Sequence, residues 1–258
     1  MDGHIGHIVV IESLENEKLT GKEIYDDCIS RQIEFRKSNL THKYYSVNSK
    51  DQLFELLKLY IHTAEFYESG LLLHFEMHGA DNQEGIILSN GELVKWTQLV
   101  EQLREINIKT KNRLYVSMAT CFGRYMYLGV DPYKKAPYAA FISASVEVNG
   151  PEIVENFTIL FENLIKSGNL IDSYLIMENY VSKFYYKDSK TVFEASFESI
   201  MNQLYGDEQL KAQILSEANK EVLLKTGVLL TDQEAEYVFK KALADMFERQ
   251  YDAFKFNN

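Results

Sequence analysis

Two short stretches of the chain combine residue types that do chemistry together: His78-Gly79 and Cys121-Phe122-Gly123, forty-three residues apart. A thiol with the ordinary pKa of ~8.5 is mostly protonated at neutral pH, and only the thiolate is a good nucleophile. An imidazole beside it takes the proton and later returns it to a leaving amine. The tetrahedral intermediate of acyl transfer carries an oxyanion, which backbone N–H groups stabilise. Glycine lets a substrate backbone come close, so the amides of Gly79 and Cys121 are candidate donors. The set suits hydrolysis through a thioester.

Such residues need a frame. The β-branched run at residues 7–11 predicts a first strand, residues 42–47 a second and residues 71–78 a third. Residues 113–119 and 138–144 predict a fourth and a fifth. Between them, Ile24, Tyr25, Cys28, Ile29 and Ile33 have helical spacing within residues 19–35. Leu53, Phe54, Leu57, Tyr60, Ile61 and Ala64 form a second stripe over residues 51–67, with Ser69-Gly70 as its expected C-terminal cap. Ser89-Asn90-Gly91 predicts a hairpin turn between residues 85–88 and 92–95. Thr97 is the expected N-cap of a helix over 97–106, and Pro151 opens another reaching about residue 166.

The near-continuous apolar start Leu71-Leu72-Leu73 predicts burial on both faces, as in a parallel sheet covered by helices. Alternating strands and helices point to an α/β fold. Ligands in such sheets bind beyond the carboxyl ends of the strands, where His78 and Cys121 both fall. Past residue 173 the pattern weakens, until residues 191–205, 207–225 and 231–254 read as three helices.

The order strand–His-Gly, about forty residues, then strand–Cys-x-Gly resembles the caspase-like cysteine peptidases, including metacaspases and bacterial CHAT-type members. The hairpin at residues 85–93 and the following Trp96 also resemble the bacterial proteins, and the likeness spans about residues 5–180. It implies a three-layer caspase-like fold with a mostly parallel central sheet flanked by helices. Residues 1–186 would be the peptidase domain, and residues 187–258 a helical C-terminal extension. By the same resemblance Cys121 is the nucleophile, His78 the general acid/base and Gly79 an oxyanion donor. The substrate would be a protein or peptide, with no cofactor, in a bacterial regulatory or anti-phage defence pathway. Where the family reads Gln-Ala-Cys-x-Gly, this chain has Ala119-Thr120-Cys121-Phe122-Gly123. Ala119 in the glutamine position argues against cleavage after aspartate. Bacterial relatives prefer basic residues through an acidic pocket group, for which Glu147 and Asp131 are the candidates; each also reads as an ordinary surface carboxylate. The competing class is a catalytically silent scaffold that holds a partner's peptide.

Other features are structural or exclude function classes. Cys28 reads as a core residue, His74 as an internal hydrogen-bonding group mid-strand, and His62 as part of a helix. His4, His7 and His42 sit near strand starts, away from the expected cleft. Scattered imidazoles and one thiol make no close-spaced metal set. A net charge of −11 disfavours nucleic acid, and Lys18, Lys22, Lys183, Lys187 and Lys190 read as solvated. No apolar run approaches the ~20 residues of a membrane span, and two cysteines make no disulfide framework. The expected location is cytoplasmic. Residues 124–135, with Tyr125, Tyr127 and Tyr133, are the candidate mobile loop. The stripes Leu204, Ile214, Leu223 and Leu224 make the helical tail a candidate docking element for a sensor, an activator or a second copy. The sequence sets no oligomeric state.

Overall fold

The computed structural model describes residues 3–131, 134–180 and 182–256, without the side chains of Ser196, Ile200, Leu204, Tyr205 and Gln250. The Tyr133 and Leu204 expectations therefore lie outside the described residues. Two units make up the chain, one spanning the first 131 residues with residues 135–189, the other residues 190–255.

The first unit is a three-layer α/β body. Its sheet runs in the order β2 (Thr41–Ser46), β1 (His7–Ser13), β3 (Leu71–Gly79), β6 (Leu114–Ala119), β7 (Ala140–Ala144) and β8 (Phe184–Asp188). All pairings in that order are parallel except β7 with β8. The short β4 (Gly85–Ile87) and β5 (Leu93–Lys95) form the expected antiparallel hairpin off the end of β3.

Alternation along the strands feeds two cores, because successive side chains leave a strand on opposite faces. Val9, Ile11, Leu71, Leu73 and Phe75 pack against α3 (Lys50–Thr63) and α4 (Trp96–Lys109). Ile8, Val10, Leu72, Tyr115 and Ile142 pack against Ile24 and Ile29 and against α5 (Gly150–Ser167). Burial on both faces explains why the central strands are predominantly apolar. Asn149 caps α5 by accepting from the Glu152 amide at 3.0 Å while Glu152 accepts from Asn149, and Gly168 ends the helix at φ 71°.

The expected helix at residues 19–35 is continuous but not uniform. It comprises α1 (Thr20–Glu23), π-helical turns over Ile24–Ser30 and α2 (Arg31–Arg36). Ser69-Gly70 is not the cap of α3, which stops at Thr63 and tightens into a 3-10 turn over Ala64–Phe66. Gly70 instead lies at φ 94° against the His4 carbonyl, where a side chain would overlap. Nor does Thr97 cap α4. That helix begins at Trp96, whose amide donates to Glu84 O at 3.0 Å and whose indole donates to Gln83 O at 2.7 Å.

Between α5 and the second unit lie α6 (Leu170–Glu178) and β8. β8 has no counterpart in the sequence expectation. It is a five-residue strand whose Phe184 and Tyr186 turn inward while Tyr185 is exposed.

The second unit holds α7 (Ser189–Gly206) from its second residue on, α8 (Glu208–Thr226) and α9 (Asp232–Tyr251). Phe193, Phe197, Phe247, Tyr251 and Phe254 cluster, with Phe197 and Phe247 ring centroids 4.5 Å apart. Among its described residues α8 buries none; Ile214 is half-buried and Leu224 is 86% exposed. No helix among the described residues is long and apolar enough to cross a membrane.

Candidate active site

Leu72, His74, Glu76 and His78 share one face of β3, two residues apart. The first three are fully or almost fully buried, whereas the His78 side chain is 57% exposed where the strand leaves the core. The hairpin is paired to this end, with His78 opposite Ile87 and Gly79 opposite Ile86. Ala80 donates to Gly85 O at 3.0 Å. Hydrogen-bonded and non-bonded pairs alternate along an antiparallel ladder, so the Gly79 amide faces away from β4.

β6 runs beside β3 until Ala119 stands opposite Glu76, and Thr120 then turns the chain into Cys121. A methyl group on Gly79 would overlap the Cys121 carbonyl oxygen and touch Thr120 Cγ2. The bare glycine thus lets the two strand ends meet backbone to backbone. His78 and Cys121 line one cleft of about 680 Å³, with Asp81, Phe122 and Glu147 also on its wall.

The half-buried Cys121 thiol donates to Val148 O at 3.5 Å, and the Val148 amide donates back to Sγ at 3.4 Å. Phe122 follows in the left-handed region at φ 58°, a conformation that costs a non-glycine residue about 1–2 kcal/mol. Its amide donates to Val146 O at 3.3 Å, and that of Gly123 to Thr120 O at 3.2 Å. The segment after β7 therefore holds both the sulfur and the turn that presents it.

On the other wall, His78 Nε2 lies 2.6 Å from Glu17 Oε1. An imidazole that donates Nε2–H to a carboxylate presents Nδ1 as its basic atom. Beneath it the column stays polar but buried. His74 Nδ1 meets Ser117 Oγ at 2.8 Å and its Nε2 meets Glu76 Oε1 at 3.0 Å, with the rings of Phe157 and Phe161 packed against the imidazole. Glu76 accepts from the Thr20 hydroxyl at 2.8 Å. Its register partner Glu12 accepts from the Gly21 amide at 2.7 Å and the Tyr44 hydroxyl at 2.6 Å. Burial, reinforced by the Glu76 charge, raises the Glu12 carboxyl above its usual range.

Glu147 lines the cleft, whereas Asp131 and Ala119 are not among its lining residues. Ala119 is buried in the core on the α5 side, because its place in β6 turns it inward. The first part of the candidate mobile loop belongs to a 3-10 segment, Gly123–Gly129, with Met126 fully buried and Gly129 pressed against the Trp96 backbone. Cys28 is buried, its thiol pushed up to about 12 chiefly by that burial. Four of the five lysines weighed as basic patches are ion-paired: Lys18 with Glu23, Lys22 with Asp26, Lys183 with Glu152 and Lys190 with Glu194.

Glu17 and Asp81 carry no local sequence motif that singles them out, yet the fold places Glu17 against His78 and Asp81 on the cleft wall. Both lie just past the carboxyl end of a strand, Glu17 after β1 and Asp81 after β3. That position is the signal that marks them.

No family model matches the chain, and no curated protein matches it. Among solved structures it is similar to the initiator caspase Dronc of Drosophila, with a TM-score of 0.46 and 13% identity. That match covers 73% of this chain and 82% of the other.

Proposed function

We propose that the chain is a caspase-like cysteine endopeptidase in which His78 and Cys121 form the catalytic dyad. The observation that carries the reading is the Gly79–Cys121 backbone contact, which brings an exposed imidazole and a half-buried thiol to the same cleft. In the proposed cycle, His78 Nδ1 takes the Cys121 proton and Sγ attacks the scissile carbonyl. The Gly79 and Cys121 amides stabilise the oxyanion. The imidazolium then protonates the departing amine as the C–N bond breaks, and water attacks the thioester to release the acid and restore the thiol. When the thiol proton leaves, the bond from the Val148 amide to sulfur is kept.

Among the described residues, Asp81 and Glu147 are the carboxylates on the cleft wall, and no lysine or arginine lines it. A substrate with a basic side chain fits that balance better than one with an aspartate. The defence or regulatory role, and the helical unit as the docking element for an activator, extend the family resemblance.

The test is a pair of thiol-reactive peptide probes, one with a basic and one with an acidic residue at the cleavage position. The expected result is selective modification of Cys121 over Cys28 by the basic probe, abolished by His78→Ala. Equal modification of both cysteines, or labelling indifferent to His78, would overturn the assignment.

A further inference from the structure

We infer that Glu17 is a positioning residue for His78, holding the imidazole with its proton on Nε2 and Nδ1 turned to the thiol. The inference rests on the dyad proposed above and goes beyond it by adding a third member from a separate strand end. Its first support is the 2.6 Å contact between Glu17 Oε1 and His78 Nε2, across sixty-one residues of sequence. Its second is the way the segment bearing Glu17 is held. Asn16 adopts φ 58°, a conformation that asparagine tolerates better than most residues. Three and four residues past Glu17, the Thr20 hydroxyl and the Gly21 amide donate to the buried carboxylates of Glu76 and Glu12. Ahead of it, Ser13 Oγ accepts from the Ser89 amide at 2.9 Å. The adjacent cation, Lys18, is engaged by Glu23 at 2.6 Å rather than by Glu17.

Glu76 is thus bound at once to the Glu17 segment and, through β3, to His78 two residues along. One buried carboxylate ties the imidazole and its orienting partner to a common support. A carboxylate at Nε2 fixes the tautomer and orientation of the neutral ring without touching the substrate.

The experiment combines two readouts on the full chain. Long-range ¹H–¹⁵N spectra of the neutral histidines, with His78 assigned by its substitution, report the tautomer independently of any activity. The expected result is the Nε2–H form in the parent chain and a mixture in Glu17→Ala. Glu17→Gln, which keeps an acceptor oxygen, should recover part of the bias. In parallel, the rate of Cys121 labelling by the peptide probe should fall at least about ten-fold in Glu17→Ala. Glu17 is exposed, so its variants should melt as the parent does. An unchanged tautomer and labelling rate in Glu17→Ala, with His78→Ala still abolishing labelling, would overturn the role of Glu17 and leave the dyad standing. Labelling unaffected by His78→Ala would instead remove the dyad on which the role rests.

Discussion

At the scale of single residues, the two cysteines are one chemical group in two surroundings. Burial pushes the Cys28 thiol up to about 12, so almost none of it is thiolate at pH 8. Cys121 is half-buried at a cleft. Brief iodoacetamide treatment at pH 8 should therefore add one label to the native protein, at Cys121, and two after denaturation, as read by peptide mass spectrometry. Gly79 makes a sharper demand. Its alanine variant cannot form without moving β3 from the Cys121 carbonyl, at a cost of about 1–3 kcal/mol. Urea melts should show that loss, and peptide-probe labelling should fall with it. His78, Gly79 and Cys121 were legible because each stands where a recognisable strand pattern stops. Glu17 was not, because Glu15-Asn16-Glu17-Lys18 reads locally as a solvated charged run. Only the neighbouring of β1 and β3 brings it to His78.

At the scale of elements, β3 carries two jobs on one face. Its first two polar residues are sealed in the core and its last is offered to solvent. His74→Ala should remove the partner of Ser117 and Glu76 and open space beside Phe157. The expected cost is about 2–4 kcal/mol in urea denaturation, since a buried acceptor is left without its donor and a cavity is added. The hairpin was readable from Asn90-Gly91, and most helices from their stripes, because those signals are local. β8 escaped because five residues with two inward aromatics make too short an alternation to stand out. Its strand character comes from antiparallel pairing with β7, some forty residues earlier in the chain.

At the scale of the whole molecule, both core clusters draw their buried residues from positions up to Phe184. A chain ending after Ser189 should therefore fold cooperatively, with a thermal transition close to that of the full protein by circular dichroism. Stability should also carry the mark of His7. Burial lowers its imidazole to about 4, with the His42 and Lys43 charges acting in the same direction. The unfolded chain then binds the proton more readily between about pH 4 and 6.5, so stability rises with pH through that window. Acidification across it should cost about 1–2 kcal/mol after allowance for solvent screening, and His7→Phe should flatten the slope in melts at matched pH.

The contact between Gly79 and the Cys121 backbone also bears on how such a protein diversifies. With no side chain between them, the gap separating the two strand ends is inherited from the lattice spacing of the sheet, ~4.8 Å between neighbours. It is not set by any loop. Asp81, Phe122 and Glu147 sit on the segments beyond the strands. Mutation can redraw that rim repeatedly while the distance beneath it stays constant, so the shape and charge of the cleft mouth and the spacing of the two strand ends can evolve on separate clocks.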